Sequence, residues 1–389
     1  MRRFIPAVAA IAVPIGLALL VGPRLETQIN TIKVIELPEP SPQAVKLHGQ
    51  LRIVDLHDDL LLWARDPVVR STWGHTDVQR LDDGRVMLQV FAAVTKTPFG
   101  QNFENNSARS PDMITPLVIL QRWPVRTWFS LRERALFIAR RANLLVPRTT
   151  GSAHPIRHDA DINNLLYHRK WGRKMLGFMI AAEGMHPLEG RLETLEELHR
   201  AGFRMMAPTH FFDNEVAGSA HGESKAGLTE FGKQAIGRMQ ELQMIVDVAH
   251  ASPATIDDIL ERMRAPIVVS HTGVQGVCPG PRNLSDAHIR AIAKGGGVMG
   301  LGFFEGAACD ITPDGIVKSI RYVADLVGPE HAALGSDWNG GTNVVIDAPK
   351  LVYLTDALLR AGFSEEEVHG IMGENALRVM KAVLPEGSL

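Results

Sequence analysis

From residue 51 onward the chain repeats one unit, a short apolar run of strand length followed by a longer stretch with helical periodicity. Eight such runs occur: RIVDLH (52–57), VMLQVFAAV (86–94), KMLGFMIAAEG (174–184), FRMMAPTH (203–210), MIVDVAH (244–250), PIVVSH (266–271), VMGLGFF (298–304) and AALGSDWN (332–339). Between several of them lie amphipathic patterns with helix punctuation. LETLEELHRAG stops at Gly202, TEFGKQAIGRMQELQ follows, SPATIDDILERMR starts on Ser252 and SDAHIRAIAKGG on Ser285. Strand alternating with helix predicts a parallel sheet. Eight units in about 300 residues fit a (β/α)8 TIM-like barrel better than an open sheet, and no Gly-x-Gly-x-x-Gly turn points to a dinucleotide fold. We expect one α/β barrel domain over residues 48–389.

In such a barrel the functional site lies at the C-terminal ends of the strands, so polar residues placed there converge. Strand one ends in His57 and Asp59, strand three in Glu183, strand four in His210, strand five in His250, strand six in His271 and strand eight in Asp337. One histidine at a strand end is more often a satisfied core or surface residue than a ligand. Recurrence on six strands of eight is a different matter. His57 and Asp59 are two apart, so in extended chain they face the same way. Imidazole and carboxylate donors without thiolate suit Zn²⁺ or a similar first-row ion, and a carboxylate can bridge two of them. Two ions about 3.5–4 Å apart can share a water and lower its pKa, which makes hydrolysis the natural use.

The other histidines, His75, His186, His199, His221, His288, His331 and His369, fall in helices or loops and are expected at the surface. His186 and His221 stay open, because both lie in loops that should cover the barrel mouth. The span from Thr95 to Lys174 is too long for one crossover and is expected to be partly helical around Pro124, with solvated arginine-rich faces. A formal net charge of -2, without a basic block, leaves no electrostatic footprint for nucleic acid.

The start of the chain sets Arg2 and Arg3 before an uncharged apolar run from Phe4 to Val21, the layout of an export signal or membrane anchor over residues 1–23. The expected location is outside the cytoplasm: anchored and facing the periplasm or extracellular side, or secreted if the segment is cleaved. Residues 24–47, rich in Pro, Glu and Thr, read as a linker or loosely attached arm. The two cysteines, Cys278 and Cys309, are an even count in an exported chain, which admits a disulfide; buried apolar roles fit them equally.

The motifs VDLHDDL, HTDVQRLDDG, AAEGMHPL, APTHFFDN, GLTEFGKQAI, IVDVAHAS, VVSHTGVQGVCPGPRN and ALGSDWNGG, in this order, resemble the membrane dipeptidase (renal dipeptidase) family of zinc peptidases. The resemblance covers nearly everything after the N-terminal arm. It implies two Zn²⁺ per chain, one on His57 and Asp59, the other on His250 and His271, with Glu183 bridging. It also implies Asp337 as catalytic acid and base, His210 as a substrate-binding and oxyanion-stabilising residue, and Arg282 in the substrate pocket. The reaction implied is attack of a metal-bridging hydroxide on a dipeptide, including one with a D-amino acid at its C-terminal position. Homodimers and a disulfide between Cys278 and Cys309 are further family expectations.

Two departures stand out. Asp58 occupies a position where the family often has Asn, and it should face away from the first metal pair toward solvent. The chain ends in VLPEGSL, which gives no support to a C-terminal lipid anchor. The Gly- and Ser-rich stretch DNEVAGSAHGESKAGL is expected to form a mobile rim. The alternative reading is another binuclear metal amidohydrolase acting on N-acyl amino acids, cyclic amides or lactones. His-x-Asp on strand one and Glu183 as bridge, instead of His-x-His and a carboxylated lysine, count against it. A non-catalytic binding barrel is a third reading, disfavoured because every residue needed for chemistry is present.

Overall fold

The computed structural model describes residues 25–387, so the apolar segment at the start of the chain lies outside the described residues. All eight expected strands form: β1 (Ile53–Asp58), β2 (Val86–Val94), β3 (Leu176–Glu183), β4 (Phe203–Met206), β5 (Ile245–Val246), β6 (Val268–Thr272), β7 (Val298–Leu301) and β8 (Ala332–Leu334). They pair in parallel in the order β5-β4-β3-β2-β1-β8-β7-β6. A parallel bridge between Asp247 and Val268, just past β5, brings the two ends together. A curled parallel sheet with helical crossovers is the TIM-like barrel expected from the repeat.

Helix boundaries follow local chemistry. Ser252 and Ser285 accept hydrogen bonds from Thr255 N and His288 N and so cap the helices Pro253–Arg262 and Asp286–Lys294. Gly202, at φ 114°, ends Glu193–Ala201 in the left-handed region. Below the sheet, Val54, Leu56, Leu88, Met179 and Met205 share an apolar cluster with Leu377 and Met380 of the helix Asn375–Val383. Asn375 Nδ2 donates to Ala332 O at the start of β8 (2.8 Å), which fixes that helix at the N-terminal ends of the strands. The opposite end is left open for a site.

Several strands stop earlier than their apolar runs, β5 and β8 among them. β5 and β8 give way to His250 (φ 62°) and Asp337 (φ 60°), whose left-handed backbone cannot continue a ladder. The span 95–174 is helical as expected, with Ile114–Leu120, Leu131–Asn143 and Asp159–Lys170 its main pieces, and adds a strand Ala153–Pro155 beside β3. Its arginines are not all solvated. Arg134 is buried and donates to the carbonyls of Thr95 and Thr127 and to Asp112.

Of the stretch read as a linker or loosely attached arm, the first part, residues 25–32, is laid against the barrel, while residues 33–40 run mostly exposed to the helix Pro42–His48. Glu26 is buried and receives both of its bonds from Arg65 Nε (2.7 and 2.9 Å). Thr31–Ile32 pairs in parallel with Asn343–Val344, and Asn30 Oδ1 accepts from Gly341 N. Residues 216–222 of the expected mobile rim are buried, while Glu215 and residues 223–226 are exposed. Cys278 and Cys309 are joined in a disulfide. No helix among the described residues is long and apolar enough to cross a membrane.

Candidate metal centre and active site

Every residue expected at the site reaches the mouth of the barrel. Glu183, the last residue of β3, stands at its centre. Its Oε1 lies 3.8 Å from His57 Nε2, 2.9 Å from His250 Nε2 and 3.1 Å from His271 Nε2. Its Oε2 lies 3.3 Å from His210 Nε2. Asp59 Oδ2 is 3.7 Å and Asp337 Oδ1 4.0 Å from the same nitrogen of His57. Three overlapping clusters have ligand-type spacing: His57, Asp59 and Glu183; Glu183, His250 and His271; His57, His271 and Asp337. Glu183 belongs to the first two, so one carboxylate is common to two donor groups.

The electrostatics of this cluster fit cations. Burial holds the imidazoles of His250 and His271 well below their usual pKa, with Arg282 and neighbouring histidines adding to the effect, so both are neutral and offer lone pairs. Their Nε2 atoms nonetheless face each other at 3.1 Å. Burial raises the Glu183 carboxyl well above the ordinary range, opposed by His57 and reinforced by Asp59 and Asp337. Asp337 is pushed up to about 7, first by burial, with Asp59 adding repulsion against the pull of His57 and Arg282. His57 Nε2 and Asp59 Oδ1 are buried without a hydrogen-bond partner. Acceptors crowded on acceptors, with two of them unsatisfied, form a donor set that a divalent cation would complete.

The cluster is held from behind. Asp55 accepts from Ser336 N (2.8 Å), Ser336 Oγ (2.9 Å) and Gln89 Nε2 (2.6 Å), tying β1 to β8 and β2. Ser270 Oγ lies 2.8 Å from His271 Nδ1 and 3.4 Å from His57 Nδ1, so one hydroxyl orients two rings. Asp58 does turn away from Glu183, yet it is fully buried instead of solvated. It accepts from Leu60 N (2.8 Å), Thr76 Oγ1 (2.7 Å) and Asn339 Nδ2 (2.7 Å). Asn339 in turn receives His75 N on its Oδ1 (2.8 Å) and gives its own N–H to His75 Nδ1 (2.9 Å).

The surface expectation fails for His75, which is buried, and the two histidines left open, His186 and His221, are buried as well. His75 belongs to the Asn339 network. His221 Nδ1 lies 2.7 Å from Phe103 O, its ring stacked on Phe211. His186 packs against Phe212. His75 and His221 sit in loops and His186 opens the short turn His186–Leu188, where helical or strand periodicity carries no burial signal. A usable hint was Asn339-Gly340, a pair prone to the left-handed backbone that Asn339 adopts (φ 60°).

A cavity of about 410 Å³ opens above the cluster, with Asp59, Glu183, His210, His250, Arg282 and Asp337 at its polar end. Arg282 spends one guanidinium nitrogen on His271 O (2.7 Å) and leaves Nε and Nη1 unpartnered, over the ring of Phe304. Two free donors on a buried guanidinium form a receptor for a carboxylate or carbonyl oxygen.

A parallel (β/α)8 barrel with a carboxylate shared between two histidine-containing donor groups defines a metallohydrolase. Comparison with known proteins narrows the class: residues 41–385 match the family described as membrane dipeptidase (Peptidase family M19), and the chain belongs to that family of metallo-dipeptidases. It is 26% identical over 354 residues to dipeptidase aclJ of Aspergillus oryzae, covering 84% of this chain and 77% of that protein. Two solved structures share the fold. The probable dipeptidase PvdM of Pseudomonas aeruginosa superposes with a TM-score of 0.73 at 20% identity, over 88% of this chain and 98% of that one. A metallopeptidase of Rhodobacter sphaeroides, liganded with a phosphinate mimic of L-Ala-D-Ala, gives 0.69 at 20% identity, over 86% and 99%.

Proposed function

We propose that this chain is a zinc-dependent dipeptidase with two metal ions, one held by His57 and Asp59, the other by His250 and His271, with Glu183 between them. The observation that carries the reading is the position of the Glu183 carboxylate, within 3.8 Å of His57 Nε2 and 3.1 Å of both other imidazole nitrogens. Cations held there would lower the pKa of water and polarise the scissile carbonyl. The remaining work falls to the chain's own groups.

Arg282, whose Nε and Nη1 are left free in the buried site, donates from one of them to the carboxylate of the substrate. His210, with Nε2 3.3 Å from Glu183 Oε2 and Nδ1 3.5 Å from Lys96 O, is neutral because burial depresses its pKa; in the tautomer that gives up the Lys96 bond, its Nε2–H donates to the oxygen that gains charge in the transition state. Asp337, at the cavity wall, takes a proton from the attacking water and delivers it to the departing amine. No serine or cysteine lines this cavity among the described residues, in keeping with direct attack by water instead of an acyl-enzyme. The phosphinate of an L-Ala-D-Ala mimic bound to the Rhodobacter sphaeroides protein supports including dipeptides with a D-residue at the C-terminal position.

Metal analysis of the purified protein should find two equivalents per chain, falling in Glu183→Ala, with turnover of a mixed dipeptide panel. No hydrolysis of any dipeptide with Zn²⁺ restored would refute the proposal. Export is part of the same reading, supported by Arg2, Arg3 and the apolar run Phe4–Val21 and by the disulfide between Cys278 and Cys309. Protease digestion of intact cells that leaves the catalytic domain untouched, while digesting it after lysis, would contradict a site facing the extracellular medium; the same comparison after opening the outer envelope covers a periplasmic one.

A further inference from the structure

The cavity has two unlike ends. One carries the ionisable groups above with three aromatic rings among them, Phe103, Phe211 and Phe304; the other has aliphatic walls without ionisable groups, built from Leu25 and Ile29 ahead of the barrel, Leu62 after β1, and Ile114, Leu117 and Leu120 after β2. The two ends are on opposite sides of the mouth. In the strand order β5-β4-β3-β2-β1-β8-β7-β6, β2 and β6 are four places apart in a ring of eight, and Arg282 follows β6. The segment carrying Leu25 and Ile29 is pinned over β8 and β1 by the Glu26–Arg65 ion pair, the Asn30–Gly341 hydrogen bond and the strand pair with Asn343–Val344.

A dipeptide whose carboxylate lies on Arg282 and whose carbonyl lies over Glu183 must therefore extend its amino-terminal residue toward the apolar end. We infer that this end is a specificity pocket for a large apolar side chain on the amino-terminal residue, and that Leu25 and Ile29 are specificity-determining residues. The inference rests on the dipeptidase reading above. Part of the pocket comes from outside the family's common span, which begins at residue 41. Glu26 explains why this segment can serve as a wall. A carboxylate only 1% exposed and doubly bonded to Arg65 Nε holds its neighbours in place, where a free arm would leave the cavity open to water.

The test is a panel with the metal-loaded full chain: Gly-Ala, Ala-Ala, Leu-Ala, Phe-Ala and, in reverse, Ala-Leu. The expected result is kcat/KM for Leu-Ala and Phe-Ala at least about tenfold above Gly-Ala, the scale of burying one large apolar group. In Leu117→Ser the Leu-Ala to Gly-Ala ratio should fall toward unity. Ile29→Ser, at a position that is 40% exposed and outside the core, should lower the same ratio without endangering the fold. Equal kcat/KM across amino-terminal residues, a preference that follows the carboxy-terminal residue instead, or a ratio unmoved in both variants overturns the inference while leaving the dipeptidase reading intact. No turnover of any member of the panel overturns both.

Discussion

Asn339 is the residue whose loss should cost most for its size. It stands at φ 60°, in the left-handed region, two residues beyond Asp337 at φ 60°. Its amide donates to Asp58 Oδ1 and Thr76 Oγ1, both at 2.7 Å, and accepts from His75 N (2.8 Å) and Arg65 Nη2 (3.2 Å). In Asn339→Ala, Thr76 and Arg65 keep other partners, Asp58 and Glu26. The buried His75 N–H loses its acceptor, at about 1–3 kcal/mol. The buried Asp58 carboxyl loses one of three donors, at about 1.5–3 kcal/mol for a bond to a charged group. Alanine in the left-handed region adds about 1–2 kcal/mol. The expected loss is thus about 5 kcal/mol, a large share of the roughly 5–15 kcal/mol that keeps a domain folded. Asn339→Gly removes the same bonds without the steric penalty, so it should be less damaging than Asn339→Ala by about 1 kcal/mol. Urea unfolding in chelator, which removes any stabilisation by bound metal, measures both variants at matched m-values. A loss below about 1 kcal/mol in both, or Asn339→Gly no better than Asn339→Ala, would refute the claim that this network holds the turn carrying Asp337.

Asp337→Asn should leave metal content unchanged and lower kcat by at least about 10²-fold, the scale of a lost acid-base group, as read by steady-state kinetics beside metal analysis. Replacing Cys278 and Cys309 by Ser opens a cross-link of sequence separation 31. It should cost about 3–4 kcal/mol by loop-closure entropy and raise KM, because Arg282 lies only four residues past Cys278; an unchanged urea midpoint contradicts this. His48, lowered to about 4 by burial with Arg85 adding to it, stays neutral in the folded chain while the unfolded chain takes up a proton below about 6.5. Its contribution to stability is therefore present above pH 6.5 and is lost as pH falls toward 4. Between pH 4.5 and 6 the stability of His48→Gln should depend on pH less steeply than that of the parent, by up to about 1.4 kcal/mol per pH unit. Parallel curves would show that His48 does not titrate as described.

What the sequence made legible, and what it did not, divides along the reach of local periodicity. A run such as IVDLH states its own strand and its own end, so eight strands and the residues at their tips could be placed without knowing any contact between them. Convergence then followed from barrel geometry alone, which is why Glu183, from β3, could be expected beside His250 and His271, from β5 and β6. Asp58 marks the boundary of that kind of reasoning. Alternation along β1 gave the correct side for its carboxyl, away from Glu183, but alternation says nothing of what occupies that side. Asn339, 281 residues away, and Thr76, 18 residues away, fill it, so a group expected in water is buried and bonded three times.

The same limit applies to the part of the arm that docks, residues 25–32. Proline and charge in residues 24–47 do indicate a segment that cannot form a long helix, yet docking depends on partners more than thirty residues distant, Arg65 for Glu26 and Asn343 for Thr31. Composition describes what a segment can do alone; whether it packs is decided by the surface it meets. Here the surface is the rim of the cavity, so what looked like a connection between the apolar start and the barrel supplies part of the cavity wall. The proposed metal ligands and acid-base residue come from strand ends that a repeat reveals. The groups that should decide which dipeptide is accepted come from the helix Ile114–Leu120 and the Leu25–Ile29 segment, which the repeat does not contain. On these proposals reaction and selectivity are written in different parts of this chain, and only the first is periodic.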